Sequence, residues 1–190
     1  MVVYSRTKRI RNTRRSLFEE RGNVVIIGNG DIASALKEVD RDNLLFFASG
    51  VSNSQETDEE EYSRERHLLV NQNRNYHIVY FSSLAVFYTT SRYVRHKKEM
   101  ESVVKRFFPM HTIVRIGNIT WGNNPHTFLN AYKAKPYEPK DEYRYMLEKE
   151  EFLHWIKLIP QWNCEMNIPG QRMKVADVVK KYGYPNLLIK

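Results

Sequence analysis

The sequence predicts an α/β domain with a mainly parallel sheet, and three observations carry that prediction. Apolar runs at residues 24–27, 44–48, 78–81 and 112–116 have the continuous hydrophobicity of strands that are covered on both faces. Segments with helical spacing separate these runs, and such alternation is typical of parallel sheets with flanking helices. The chain of 190 residues is long enough for one sizeable core and short for two domains.

The composition excludes several classes of protein. Hydrophobic residues make up 42% of the chain and charged residues 27%, which is ordinary for a globular protein. No apolar run approaches the ~20 residues that cross a bilayer, and the N-terminus lacks the apolar stretch of a secretory signal. The single cysteine, Cys164, fits a reducing compartment, and the six histidines show no metal-ligand spacing. We therefore expect a cytoplasmic protein with no membrane segment and no metal.

Residues 1–22 form a basic arm ahead of the domain, which is predicted to span residues 23–190. Seven basic and two acidic residues in the arm account for five of the eight net positive charges of the chain. Such an arm either contacts nucleic-acid phosphates or is a solvated, partly helical extension, and the second outcome is the commoner.

A glycine turn follows the first predicted strand. Residues 28–33 read Gly-Asn-Gly-Asp-Ile-Ala and open a predicted helix, with Asp31 as its expected N-cap. In this pattern Gly28 permits the tight bend, Gly30 lets a pyrophosphate approach the backbone, and Ala33 lets helix and strand pack closely. The turn predicts a dinucleotide site, and the alternative is a purely structural turn.

The segment between the first and second strands is short. Fifteen residues, 29–43, separate the two runs, which is enough for one helical crossover and not for further strands. The acidic residue that usually follows the glycine motif by about 20 positions is not evident, so the choice between NAD and NADP is not readable. Residues 52–62 are expected to form an acidic surface loop, and residues 63–73 a short helix.

A hydroxyl, a tyrosine and a lysine follow the third strand. Ser82 and Ser83 end the strand, and Tyr93 and Lys97 lie four residues apart on one face of a predicted helix. A lysine ammonium beside a phenol favours the tyrosinate, and such a tyrosine can act as general acid or base towards a hydroxyl or carbonyl. The alternative is a tyrosine at the edge of the core and a surface lysine with a buried stem. The register favours a site, because Lys97 extends the apolar stripe of the helix whereas Lys98 points away.

The C-terminal third has weaker patterns. We expect helices at residues 126–135, 147–160 and 175–182, the last capped by Gly183, and a short strand at 166–170. Residues 135–145 are expected to form a loop. Trp155 and Trp162 are expected in the core, and His96 on the surface.

Five segments in order resemble the extended short-chain dehydrogenase/reductases, the group that contains NAD-dependent nucleotide-sugar epimerases and dehydratases. They are GNGDIA, FASG, FSSLAVFY with YVRHK, VRIGNITWG, and a weaker match in NIPG followed by MKVADVVKKYG. The resemblance covers roughly residues 23–183. It implies a Rossmann-like fold, NAD or NADP as cofactor, a nucleotide-activated sugar as substrate, and a homodimer formed through helices that flank the site.

The resemblance also implies a role for each matching position. Ser83 corresponds to the catalytic hydroxyl, with Ser82 as its less favoured neighbour, Tyr93 to the proton-transferring residue, and Lys97 to the residue that holds the nicotinamide ribose and lowers the tyrosine pKa. The implied cofactor contacts are Gly28, Asn29, Gly30, Asp31, Ile32, Ala33, Ala48, Ser49, Gly50, Lys97 and Arg115. The implied substrate contacts are Ser83, Asn118 and Gly122.

The chain departs from the family pattern in four ways. The second and third strands of the nucleotide-binding half are missing, and Phe87 stands where a tyrosine often follows the catalytic serine. The segment between Ser83 and Tyr93 is short, and the substrate region from about residue 120 is cut to about 70 residues. The leading hypothesis is therefore an NAD(P)-dependent epimerase, dehydratase or reductase with a shortened cofactor site. The alternative is a non-catalytic nucleotide-binding or interaction module derived from the same fold.

Overall fold

The computed structural model describes residues 25–39, 41–138 and 141–182, and within them five parallel strands form the main sheet. In chain order the elements are β1 Val25–Ile27, α1 Asp31–Leu36, β2 Leu44–Phe47, α2 Glu59–Val70, β3 His77–Ser83, a 3₁₀ helix Leu84–Phe87, α3 Arg92–Phe107, β4 His111–Ile116, β5 Asn118–Ile119, α4 Phe128–Ala134, β6 Tyr143–Leu147, α5 Lys149–Lys157, β7 Cys164–Ile168, β8 Gln171–Lys174 and α6 Val175–Lys181. The predicted α/β class with a mainly parallel sheet is confirmed.

The strands of the main sheet follow one another in chain order, β1-β2-β3-β4-β7. A complete dinucleotide-binding fold has the order 3-2-1-4-5-6, which reverses at the first strand. No such reversal occurs among the described residues, where β1 is an end strand that pairs with β2 alone. This order confirms the prediction that the second and third strands of the complete fold are missing.

The helices divide between the two faces of the main sheet. Leu69 of α2 and Met100 of α3 pack with Tyr80 on one face, whereas α1 and α5 pack with Phe46 on the other. Every crossover steps across the sheet in the same direction, so the connections through α1 and α5 have the opposite hand to those through α2 and α3. Parallel crossovers are nearly always right-handed. In the complete fold, the strand that follows this helix lies on the other side of β1. Without that strand, the chain passes from α1 to β2 in the opposite direction across the sheet, and the hand of the crossover is reversed.

A smaller sheet of order β5-β6-β8 begins at residue 118. Its β6 and β8 strands are antiparallel, and α4 and α6 pack on it through Leu129, Met146 and Val178. The loop predicted for residues 135–145 was wrong at its C-terminal end, where β6 begins at Tyr143. The two prolines and many charged residues of this segment are typical of a loop, and they led to the wrong prediction. The polar strand β8 was not predicted.

Helix α2 corrects a second prediction. The expected acidic loop ends at Asp58, whose side chain caps α2 by accepting a hydrogen bond from the Glu60 N–H at 2.8 Å. Three glutamates fill the first turn of α2, where the helix dipole favours negative charge. The helix therefore starts at Glu59 and not at residue 63.

The burial of three other residues also differs from expectation. Trp155 and Trp162 are 42% and 68% exposed, because they lie on the outer side of α5 and in the loop that follows it, and His96 is buried against α2. The basic arm at residues 1–22 and the predicted cap Gly183 lie outside the described residues. No described helix is long and apolar enough to cross a membrane.

Candidate functional site

The glycine turn joins β1 to α1 at the carboxyl edge of the main sheet. Gly28 has φ +134°, and a Cβ there would overlap the Ala48 carbonyl, so only glycine lets the two strand ends approach. Gly30 is the N-cap of α1, and apart from its chain neighbours no atom of the described residues lies within 4 Å of the position that a Cβ would occupy. The turn therefore combines a required bend with open space in front of the helix start.

Asp31 does not cap α1, which corrects the sequence prediction. The N-cap residue is Gly30, and it makes no side-chain capping bond. The Asp31 carboxylate instead accepts backbone hydrogen bonds from Asn123 at 3.1 Å and Asn124 at 3.0 Å. Gly122 lies against this carboxylate with φ +88°, and a Cβ at Gly122 would overlap it. The loop after β5 is thereby fastened to the first turn of α1.

Tyr93 and Lys97 lie together near the start of α3. Ser91 caps this helix by accepting a hydrogen bond from the Val94 N–H at 3.3 Å, which places Tyr93 in the first turn. The Lys97 Nζ lies 5.7 Å from the centroid of the Tyr93 ring. Tyr93 is partly buried, and its hydroxyl has no hydrogen-bond partner among the described residues. The predicted stripe is correct, because Lys97 is buried and Lys98 is exposed.

Lys97 is held by Glu65, a residue that the sequence analysis did not select. Glu65 is fully buried on α2, and its Oε1 accepts from the Lys97 Nζ at 3.1 Å and from the Tyr80 hydroxyl at 2.7 Å. Its Oε2 accepts from the Val51 N–H at 2.7 Å and lies 3.0 Å from the His96 Nε2. Because an ionised carboxylate only accepts hydrogen bonds, the His96 Nε2 must carry the proton in this pair.

Glu65, Lys97, Tyr80, His96 and the Val51 N–H form a buried cluster, the Glu65 cluster, and its contacts shift the pKa values of Glu65 and Lys97. Burial raises the pKa of the Glu65 carboxyl, but the Lys97 charge and the hydrogen bonds from His96 and Val51 outweigh burial and hold that pKa far below its usual value. Burial likewise lowers the pKa of Lys97, and the Glu65 charge outweighs it, so the Lys97 pKa is raised. Glu65 and Lys97 are therefore both ionised at neutral pH.

Gly50 makes room for this ion pair. A Cβ at Gly50 would lie 2.6 Å from the Lys97 Nζ and 2.9 Å from the Glu65 Oε1. The backbone oxygen of its neighbour Ser49 accepts a hydrogen bond from Arg64 on α2. The loop after β2, predicted to border the adenosine of a cofactor, is therefore also part of the packing around the Lys97 ammonium.

The two serines after β3 have different surroundings. The Ser83 Oγ accepts a hydrogen bond from the Ala85 N–H at 3.2 Å and caps the 3₁₀ helix, so its oxygen already has a structural partner. The Ser82 Oγ is buried and has no hydrogen-bond partner among the described residues. Successive side chains of a strand point to opposite faces. Ser82 therefore shares the α3 face of the sheet with Tyr80, whereas Ser83 points to the other face.

Arg115 and Asn118 make contacts within the protein. The Arg115 guanidinium donates to both carboxylate oxygens of Glu101, at 2.9 and 2.6 Å, and to Glu165 at 2.6 Å. These hydrogen bonds raise the pKa of Arg115 against the effect of burial. The Asn118 side chain donates to the Tyr145 carbonyl at 3.1 Å and ties β5 to β6. Both side chains are therefore engaged in contacts that stabilise the fold.

Tyr88 interacts electrostatically with Tyr93 and with the smaller sheet. Burial raises the pKa of the Tyr88 hydroxyl, the Arg144 charge opposes that rise, and Tyr145 and Tyr93 add to it. Tyr88 follows the 3₁₀ helix and is 57% exposed, and Arg144 and Tyr145 belong to β6. The Arg144 guanidinium also donates to the Glu142 carboxylate at 2.8 Å, so its charge is paired. Neighbouring tyrosines and a single arginine on a short strand gave no recognisable signal in the sequence.

The predicted site residues form three groups. The first joins Tyr93, Lys97 and Gly50, the second joins the glycine turn to Gly122 through Asp31, and the third surrounds Arg115. The first two groups lie at the carboxyl ends of the main strands, which is the edge where open α/β sheets bind ligands.

No model of a known protein family matches the chain, and no curated protein sequence matches it either. Solved structures do match. The Bordetella bronchiseptica enzyme WbmG, solved in complex with NAD and UDP, has a TM-score of 0.57 at 11% identity, with 74% of this chain and 55% of that chain covered. A UDP-glucose 4-epimerase from Thermus thermophilus in complex with NAD has a TM-score of 0.53 at 16% identity, with coverages of 78% and 63%.

A third match is the dTDP-4-dehydrorhamnose reductase of Bacillus anthracis in complex with NADP, with a TM-score of 0.51 at 17% identity and coverages of 83% and 67%. At these identities the likeness establishes the fold. The fold is Rossmann-like, as predicted, and the chain spans just over half the length of WbmG. Its structural neighbours include nucleotide-sugar epimerases and reductases that were solved with NAD or NADP.

Proposed function

We propose that this protein is an NAD- or NADP-dependent enzyme that interconverts a hydroxyl and a carbonyl on a nucleotide-linked sugar, with Tyr93 as the general acid or base. One observation carries the proposal. Tyr93 is a partly buried residue whose hydroxyl has no partner among the described residues, and the buried ammonium of Lys97 lies 5.7 Å from its ring. A tyrosine beside a lysine is suited to proton transfer with a substrate hydroxyl or carbonyl.

The glycine turn fits the pyrophosphate of a dinucleotide. The space in front of Gly30 is open, and the first hydrogen bond within α1 runs from the Ser34 N–H to the Gly30 carbonyl, so the N–H groups of residues 31–33 have no acceptor within the helix. Free N–H groups at a helix start favour phosphate oxygens. Ala48, Ser49 and Gly50, after β2, are the residues proposed to contact the adenosine. No described strand lies beyond β1 to supply further contacts, because β1 is the end strand of the described sheet.

Each residue of the Tyr93 side has a defined task in this proposal. A bound nicotinamide would supply hydride transfer at the reacting carbon. Tyr93 takes or gives the proton of the sugar oxygen, and the Lys97 ammonium donates to a ligand hydroxyl. Ser83 points to the other face of the sheet, and its hydroxyl proton remains for a ligand oxygen that reaches the end of β3, because its Oγ only accepts from Ala85.

The surface around Tyr88 supports a nucleotide-linked sugar as the substrate class. Arg144 acts electrostatically on Tyr88 and pairs with Glu142 at 2.8 Å, so a diphosphate would compete with that carboxylate for the guanidinium, while aromatic rings suit a base or sugar face. UDP is bound in WbmG, whose fold this chain shares over 74% of its length.

Replacement of Tyr93 by phenylalanine tests the proposal. We expect Tyr93→Phe to reduce turnover by roughly 10²- to 10⁴-fold, because the proton carrier is lost while the ring remains. The assay follows NAD(P)H absorbance with a panel of UDP- and dTDP-sugars, and melting temperatures check that both proteins fold. Unchanged turnover in the variant would exclude Tyr93 as the general acid or base.

A non-catalytic nucleotide-binding module is the second candidate, and two observations favour it. The charge of Lys97 is already paired with Glu65, and the strand order lacks the reversal at which a complete fold binds a dinucleotide. Calorimetric titration with NAD, NADH, NADP and NADPH separates the two candidates. Absence of binding at millimolar concentration would remove the dinucleotide from the proposal, and binding without turnover on any sugar nucleotide would favour the module.

A further inference from the structure

Glu65 uses all of its hydrogen-bonding capacity inside the protein. A carboxylate has about four acceptor positions. The groups that fill them are the Tyr80 hydroxyl, the Lys97 ammonium, the Val51 N–H and the His96 Nε2, at 2.7 to 3.1 Å. These donors come from β3, α3 and the loop after β2. The buried side chain of Glu65 on α2 therefore connects these three parts of the chain.

Lys97, in contrast, holds one of its partners weakly. Its ammonium has three N–H groups. One reaches Glu65 Oε1 at 3.1 Å, and a second reaches the Tyr80 hydroxyl oxygen at 3.3 Å, which can accept because its own proton goes to Glu65. The third makes the longest of the three hydrogen bonds, to the second Glu65 oxygen at 3.4 Å, and that oxygen already accepts from Val51 and His96. The Tyr93 ring lies on the same helix one turn away, 5.7 Å from the Nζ.

We propose that Glu65 is a positioning residue for Tyr93 and Lys97, which orients the Lys97 ammonium so that its most weakly bound N–H can exchange the second Glu65 oxygen for a hydroxyl of the bound ligand. The part that concerns the ligand rests on the proposed function. Without Glu65, the buried Lys97 would lose its counter-charge and its fixed orientation. A buried lysine with no partner loses its proton readily.

Glu65→Gln tests the inference, since it removes the charge and keeps the size of the side chain. Glu101→Gln is a matched control, because Glu101 is also a buried carboxylate in an ion pair, with Arg115, and does not contact Lys97. Proteins labelled with ¹³C at the lysine Cε are titrated by NMR, and the Lys97 resonance is assigned by its loss in Lys97→Met. In the unmodified protein and in Glu101→Gln we expect Lys97 to titrate at higher pH than exposed lysines. In Glu65→Gln we expect its midpoint to fall by at least one pH unit.

Two results would overturn the inference: a Lys97 that titrates with the exposed lysines in the unmodified protein, or an unchanged midpoint in Glu65→Gln. The first result needs only the Lys97→Met protein for assignment, so the test holds even where Glu65→Gln does not fold. NADH and NADPH affinities are measured in parallel, with an expected loss of tenfold or more in Glu65→Gln. If the unmodified protein binds neither dinucleotide, the proposed function fails, while the titration still decides whether Glu65 holds Lys97.

Discussion

Around Tyr93, the buried charges of Glu65 and Lys97 bind mainly to other side chains. At the glycine turn, the Asp31 carboxylate binds backbone N–H groups. Glu65 and Lys97 are almost fully buried, and four side-chain or backbone donors satisfy the carboxylate. Asp31 lies at a partly exposed helix start and fastens a loop through Asn123 and Asn124. The first region therefore depends on the identity of its side chains, and the second depends on backbone shape.

The difference predicts where the molecule is most sensitive to substitution. Removing one partner of a buried ion pair leaves an uncompensated charge, which is far more costly than removing an exposed pair. Backbone shape is lost when a glycine with positive φ gains a side chain. Four changes test the comparison, in order of decreasing expected effect.

Glu65→Ala should have the largest effect on stability. We expect the free energy of unfolding to fall by about 3–5 kcal/mol, because Lys97 is left buried without its counter-charge. Glu61→Ala, on the same helix, removes an exposed carboxylate that pairs with Arg64, and should change stability by no more than about 1 kcal/mol. Urea unfolding at pH 7 measures both. Similar losses in the two variants would show that the buried pair of Glu65 and Lys97 contributes no more to stability than the exposed pair of Glu61 and Arg64.

Gly122→Ala should have the next largest effect. We expect a loss of about 1–3 kcal/mol, since the residue has φ +88° and the new methyl group would overlap the Asp31 carboxylate. Gly30→Ala is the control, because its Cβ would meet open space, and it should change stability by less than about 0.5 kcal/mol. Thermal melting compares the two, and the same Gly30→Ala protein should bind dinucleotide more weakly if the turn holds a pyrophosphate.

Acid should weaken the Glu65 cluster. The pKa of Glu65 is lowered on folding, so its contribution is present above the unfolded pKa of about 4.3 and is lost as the pH falls towards the folded value. The stability difference between the unmodified protein and Glu65→Gln should shrink by roughly 1.4 kcal/mol for each pH unit below about 4. Urea unfolding at pH 7, 4 and 3 measures it. A constant difference would mean that the Glu65 charge does not contribute.

Asp31→Asn should give the smallest effect, and it concerns binding. The asparagine oxygen can keep one of the two backbone hydrogen bonds, while the negative charge beside the glycine turn disappears. We expect the affinity for NADH to rise by about two- to tenfold, the effect of removing roughly 1 kcal/mol of repulsion. Asp42→Asn removes the same charge at the opposite edge of the sheet and should leave the affinity unchanged. Weaker binding in Asp31→Asn would show that the fastened loop is needed for binding.

The parts of this molecule that follow from local pattern were predictable from the sequence. The buried strands, the turn at Gly28 and the burial of Lys97 beside an exposed Lys98 each depend on residues close in sequence. Spacing along a helix determines which face a residue occupies, and the apolar stripe of α3 from Lys97 to Val104 was predicted correctly, although His96 was not.

The centre of the site was not predictable in the same way. Glu65 belongs to a run of charged residues that is typical of a solvated helix face, and its burial depends on the packing of α2 against α3. His96 was expected on the surface for the same reason, although its ring bonds to Glu65. A buried charge is recognised only when its partner is known, and the partners here are 31 and 32 residues apart.

The opposite hand of the α1 crossover has a consequence for the order of folding. Strands β2, β3 and β4, joined by α2 and α3, form a continuous unit of the usual hand, and β1 with α1 adds to its side through three paired residues, Val25, Ile26 and Ile27. A small unit at the end of a sheet opens more easily than the centre. We therefore expect amide hydrogen exchange to be fastest in β1 among the main strands and slowest in β3. The glycine turn would then be the last part of the carboxyl edge of the main sheet to form and the first to open.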